Sequence, residues 1–268
     1  MVVTRRIPAA LQNPAYRPAD TGGLGGTTAG PPPISAHARM AMTDDADRII
    51  GLYQRRAHEF DRERWRNLFE RPWLDRFAAL VGRGGSILDI GCGSGQPIAR
   101  HFIESGYVLT GIDSSLAMID LCRSRFPHAT WIVADMRTLN LGTRHDGILA
   151  WDSFFHLRRD DQRAMFATFR AHAAAQTALM FTNGSSDGEA IGTFHGEPLY
   201  HASLAPEEYR ALLDRHGFDV MAHKAEDPSC GGRTVLARTA ETVKLLRPAV
   251  HVCRSFFSLV SGCAPLLW

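Results

Sequence analysis

The segment Ser86-Ile-Leu-Asp-Ile-Gly-Cys-Gly-Ser-Gly-Gln96 constrains this chain more than any other, because a short apolar run passes directly into three glycines at alternate positions. Ile87, Leu88 and Ile90 have the composition of a strand buried on both faces. Gly91, Gly93 and Gly95 permit a sharp turn and a close backbone approach to a ligand. A strand that ends in such a loop and opens a helix predicts a bound nucleoside cofactor at the edge of an open α/β sheet. The spacing is G-x-G-x-G, which departs from the G-x-G-x-x-G of dinucleotide sites.

The rest of the middle of the chain alternates strand and helix signals, as a parallel sheet covered on both faces requires. Thr43, Asp44 and Asp45 predict the start of a helix with a buried stripe of Ile49, Tyr53, Ala57 and Phe60, and a second helix is expected over 65–81. Strands are expected at 86–91, 108–113, 130–134, 147–151 and 178–182, with helices near 96–105, 116–126 and after Asp160. Pro206 fits the first turn of a later helix that Gly217 ends. The last two strands, 218–225 and 234–237, are separated by too few residues for a crossover helix and are expected to pair as an antiparallel hairpin. The predicted fold is a Rossmann-like, doubly wound, seven-stranded sheet, parallel except for that hairpin, with extra N-terminal helices.

The 268 residues, 45% of them apolar, suffice for one α/β core with appendages. Residues 1–42 combine prolines, a glycine cluster and no apolar periodicity, and are expected to form a disordered extension ahead of a start near Met40 or Met42. The domain is expected over 43–240, with a tail over 241–268. Ser255–Trp268 is uncharged but well short of the ~20 residues of a membrane span, and Gly262 and Pro265 interrupt it. A net charge of +2 carries no strong electrostatic footprint for nucleic acid. Five scattered cysteines without C-x-x-C spacing indicate neither a disulfide framework nor a zinc site, so a reducing cytoplasm is expected and no metal.

With Asp89 two residues ahead of Gly91, the glycine segment resembles the first motif of class I S-adenosylmethionine-dependent methyltransferases, and the resemblance extends over about 44–240. It is nearest to the bacterial small-molecule type with a helical segment before the first strand. The resemblance implies S-adenosylmethionine as cofactor, a small-molecule acceptor methylated on oxygen or nitrogen, and a cofactor site built on Asp89, Gly91, Cys92, Gly93 and Gly95. Asp113 closes the second strand, where its carboxylate can accept from both ribose hydroxyls, with Ser114 beside it; capping of the next helix is the competing role. Asp135 and Met136, after the third strand, match the family's adenine segment, and Tyr53 matches the aromatic that closes over the cofactor from the leading helix.

On the acceptor side, Trp151 could hold the sulfonium by cation–π attraction or simply anchor the core. His156 has the ordinary pKa of a general base, and could equally hold the start of the next helix. The segment 188–201 reads as a loop roofing the acceptor pocket, with His195, Glu197, Tyr200 and His201 as its substrate-binding groups. Three rivals share part of this pattern: a nicotinamide or flavin dehydrogenase, a non-catalytic S-adenosylmethionine-binding protein, and an RNA or protein methyltransferase.

Overall fold

The structure is a computed structural model and describes residues 36–184, 187–224, 227 and 233–240. The expected extension up to residue 35 and the expected tail over 241–268 lie outside the described residues.

The chain alternates as the sequence predicts. β1 (Ser86–Ile90), β2 (Val108–Asp113), β3 (Thr130–Val133), β4 (His145–Ala150) and β5 (Ala173–Asn183) pair in parallel. β8 (Phe218–Lys224) and β9 (Arg233–Thr239) close the sheet as an antiparallel pair, with β9 against β5. The strand order is β3-β2-β1-β4-β5-β9-β8. The direction of winding therefore reverses between β1 and β4, and at such a reversal a crevice opens at the carboxyl ends of the strands.

Helices cover both faces. On one side, α6 (Arg159–Ala171) and α7 (Pro206–Arg215) bury Phe166, Phe169 and Tyr209 against Phe154 and Phe181. On the other, α3 (Arg71–Val81), α4 (Ile98–Glu104) and α5 (Leu116–Arg125) pack Phe77, Phe102 and Cys122 on Ile87, Leu149 and Met180. α3 starts at Arg71 rather than at residue 65, because Pro72 fits only the first turn of a helix. The predicted leading helix is also two: α1 (Ala36–Arg55) and α2 (Ala57–Glu63), broken at Arg56. α1 begins seven residues before the Thr43 start read from the sequence.

The segment expected as a roofing loop is instead a separate hairpin, β6 (Gly188–Phe194) and β7 (Glu197–Ser203). Its two-residue turn, His195-Gly196, has φ of 49° and 78°. That is the left-handed geometry that two-residue hairpin turns demand, since it matches the twist of the strands. The hairpin buries Phe194, Leu199, Tyr200 and Ala202 against Ile49 and Leu52 of α1, and so fixes α1 across the end of the sheet.

Candidate functional site

A cavity open to solvent lies at the carboxyl ends of β1 to β4, under α1. Gly91, Gly93, Asp113, Ser114, Asp135 and Met136 line one half. Gly91 has φ of 76°, and a Cβ there would sit 2.3 Å from Cβ of Ser153, so only glycine lets the end of β4 approach the loop. Asp113 accepts from the backbone N–H of Gly93 at 3.0 Å and of Ser115 at 2.8 Å. It thereby joins the glycine loop to the start of α5, while Ser115 provides the helix cap by accepting from Met118 N–H. A carboxylate has about four acceptor sites, so two backbone bonds leave capacity for a ligand's hydroxyls. Burial raises the Asp113 pKa and these backbone bonds oppose that rise. Asp135 is held by the Arg137 guanidinium at 2.6 Å and accepts from the Arg137 backbone N–H.

Ile49, Tyr53, Asp152, Ser153, His156 and Arg158 belong to the other half. Tyr53 Oη lies 2.9 Å from His156 Nε2, and His156 Nδ1 lies 2.8 Å from the carbonyl oxygen of Tyr200 in the hairpin. Thus α1, the turn after β4 and β7 meet at one imidazole. Burial pushes the His156 pKa down to about 4, against the bond to the Tyr200 carbonyl, so the ring is neutral near pH 7. Burial, Asp152 and Asp113 push the Tyr53 phenol up.

Asp152 carries a φ of 50°, which an L-residue adopts only when its surroundings hold it there. Its N–H donates to Thr182 Oγ1 at 2.7 Å and Arg64 Nη1 donates to its carboxylate at 3.3 Å. Arg64 also pairs at 3.1 Å with Glu70, which is fully buried. Desolvation pushes the Glu70 carboxyl up to about 7, with the Arg64 charge opposing it. The folded chain therefore binds this proton more tightly than the unfolded chain. The resulting stabilisation is complete below the ordinary glutamate pKa and is lost as pH rises to about 7. Glu70→Gln should remove that slope, so the variant's Tm relative to the unsubstituted protein should be higher at about pH 8 than at about pH 5. An equal Tm difference at both pH values would refute the assignment.

Not every residue singled out from the sequence reaches the cavity. Asp89 is 4% exposed within β1 and does not line it; burial and Asp113 push its carboxyl up to about 7. Cys92 and Gly95 pack the underside of the loop, where Cys122 Sγ would be 3.2 Å from a Cβ on Gly95. Trp151 is a core anchor, packed among Trp73, Phe77 and Leu149. His195 sits at the hairpin turn, 3.1 Å from Glu63. Glu197 pairs with Arg55 and Arg56 and clasps the hairpin to the end of α1. Tyr200 is buried against α1, and it is its carbonyl, not its phenol, that reaches the site. His201 stands behind His156, ring centroids 4.9 Å apart, and is held near pKa 3 mainly by burial. Of the four hairpin residues, therefore, none lines the cavity.

Phe60, Asp152, Ser153 and Arg158 line it without having been singled out as site residues. Asp152 was the legible one, as the second residue beyond β4 on the strand-end side where ligands bind. Among the described residues no helix is long and apolar enough to cross a membrane, and no cluster of His, Cys, Asp or Glu is suited to a metal ion.

Comparison with known proteins agrees with this geometry. The sequence model of a family described as a methyltransferase domain matches residues 87–176. A dTDP-3-amino-3,6-dideoxy-alpha-D-glucopyranose N,N-dimethyltransferase of Streptomyces fradiae is 34% identical over 101 residues, covering 35% of this chain and 39% of that protein. An O-methyltransferase of Aspergillus nomiae is 28% identical over 153 residues, covering 52% of this chain and 66% of that protein. The matches thus span between about two fifths and two thirds of these relatives' lengths. Among solved structures, the 1,6-didemethyltoxoflavin-N1-methyltransferase of Burkholderia thailandensis superposes with a TM-score of 0.57 at 20% identity, over 79% of this chain and 93% of that one. Residues 87–176 are therefore a methyltransferase domain, and the chain around them has the fold of the class I S-adenosylmethionine-dependent methyltransferases.

Proposed function

We propose that this chain transfers the methyl group of S-adenosylmethionine to a nitrogen or oxygen of a small-molecule acceptor. The observation that carries this reading is one cavity with two unlike halves: the glycine loop with Asp113 and Asp135 on one side, and the Tyr53–His156 pair on the other. The first half fits the cofactor. Asp113, Asp135, Asp152 and Asp161 outnumber the lining cations Arg137 and Arg158, which suits a ligand bearing a sulfonium and an ammonium. When bound, that cofactor supplies an electrophilic methyl group that a correctly placed lone pair takes by direct displacement.

The chain's own residues would bind, orient and exclude water. Asp113 would accept from the ribose hydroxyls, and Asp135 from the adenine amine with Met136 against the ring. α1, held by the hairpin and by Gln54 accepting from Ser115 Oγ at 3.0 Å, covers the reacting end and favours a small acceptor over a macromolecule. His156 is not a free base. Its Nε2 is engaged by Tyr53, so its influence on turnover runs through that phenol.

The relatives' names include both nitrogen and oxygen methyltransferases, which supports small-molecule acceptors of either kind. The test is turnover: the protein, S-adenosylmethionine and a library of amines, hydroxylated aromatics and amino sugars, read by mass spectrometry. A methylated product formed in step with S-adenosylhomocysteine is expected. Cofactor binding with no product across the library would favour a non-catalytic binding protein.

A further inference from the structure

The polarity of the hydrogen-bond chain at the reacting end restricts the acceptor. A backbone carbonyl can only accept, so His156 Nδ1 at 2.8 Å from Tyr200 O must carry a hydrogen. The ring is enclosed by Tyr53 of α1, His201 of β7 and Phe155 of its own turn, and among the described residues no carboxylate is bonded to it that would favour a second proton. Nε2 therefore presents a lone pair, and the Tyr53 hydroxyl donates to it across 2.9 Å. That spends the only hydrogen Tyr53 has.

We propose that Tyr53 shows the cavity nothing but acceptor lone pairs, so the atom to be methylated must itself bear a hydrogen: a primary or secondary amine, or a hydroxyl, and not a tertiary amine. This rests on the methyl-transfer reading above and narrows its substrate class. The neighbouring groups reinforce the restriction. The Asp152 and Asp113 carboxylates also only accept, and Ser153 Oγ donates to the Ile90 carbonyl at 2.7 Å. An N–H or O–H held on Tyr53 Oη leaves the nucleophile's own lone pair to bond the methyl carbon; the carbon–sulfur bond breaks with its electron pair going to sulfur, giving S-adenosylhomocysteine, and the proton of the methylated ammonium or oxonium is released to solvent. Once an amine is tertiary it has no hydrogen for Tyr53, and methylation stops there. His156, which touches no substrate in this scheme, is a positioning residue that sets the direction of the phenol.

The tautomer of His156 can be read without any acceptor. Of the 12 histidines, His156 is identified in the full-length, 15N-histidine-labelled protein with S-adenosylhomocysteine bound, by the long-range 1H–15N pattern that His156→Gln deletes. If that variant does not fold, Tyr53→Phe identifies it as the one ring whose bare nitrogen shifts. The expected pattern is a hydrogen on Nδ1 and a bare Nε2, unchanged from about pH 6 to about pH 9. In Tyr53→Phe the tautomer should persist, because the Tyr200 carbonyl still holds it, while the Nε2 signal moves to that of a nitrogen without a donor.

A hydrogen on Nε2, or a ring that titrates in this range, would reverse the phenol and overturn the proposal. In the acceptor screen the same proposal excludes any quaternary ammonium product, and one such product would also overturn it. The tautomer is independent of turnover, so an inactive protein with the expected tautomer would count against methyl transfer and not against the polarity of the site.

Discussion

If Asp113 accepts from both ribose hydroxyls as proposed, Asp113→Ala should weaken S-adenosylhomocysteine binding by about 3 kcal/mol, roughly a hundredfold, because two charge-assisted hydrogen bonds would be lost together. The structure adds a second cost. The same carboxylate joins Gly93 to Ser115, so its removal also frees two partly buried backbone donors and loosens the glycine loop from α5. Asp113→Asn should fall between, since one oxygen remains while the amide nitrogen faces a backbone N–H that it cannot accept from. Calorimetry on the three proteins measures this. Unchanged affinity in the alanine variant would remove Asp113 from the cofactor site.

Phe154→Ala should cost about 3–5 kcal/mol of stability in chemical denaturation. Phe154 is fully buried, and its ring lies 5.2–6.2 Å, centroid to centroid, from those of Phe181, Phe169, Phe166 and Tyr209. No neighbour can refill that volume, so the cavity term adds to the lost transfer energy. The residue also begins the short turn Phe154–His156, and the folded fraction should therefore lose acceptor turnover as the imidazole shifts. Phe154→Leu should cost clearly less, since it keeps most of the apolar volume. A loss below about 1 kcal/mol for the alanine variant would mean that this aromatic cluster does not anchor the site.

The two predictions divide along the line of what the sequence made legible. The half of the cavity lined by Gly91, Gly93, Asp113 and Asp135 was legible because it is local: an apolar run, alternate glycines and a carboxylate at the end of each of the next two strands lie within about fifty residues and follow the period of the backbone. In the other half Tyr53 and His156 were each singled out, but their pairing was not legible, because they are 103 positions apart and meet only when the hairpin holds α1 over the sheet. The hairpin itself had a signal, a residue tolerant of positive φ followed by glycine between alternating apolar positions, in His195-Gly196. Read as a loop, it placed Glu197, Tyr200 and His201 in the pocket, whereas in the hairpin Glu197 pairs with Arg55 and Arg56, Tyr200 packs on α1 and His201 stands behind His156. Trp151 illustrates the other failure: an aromatic at a strand end fits a ligand or a core equally well by sequence, and packing against α3 decides it.

The break at Arg56 follows the same logic. The stripe Ile49, Tyr53, Ala57 and Phe60 has the right helical spacing, yet two helices form where one is expected. Phe60 then comes under Gly93 and Arg64 comes within reach of Asp152, placements that no periodicity encodes.

The most direct measurement is a calorimetric titration of the full-length protein with S-adenosylhomocysteine, with NAD as the paired ligand. One site that binds S-adenosylhomocysteine at micromolar affinity, raises the Tm on saturation and ignores NAD is expected from Gly91, Gly93, Asp113 and Asp135 at the ends of three successive strands. Binding of NAD without binding of S-adenosylhomocysteine would contradict it.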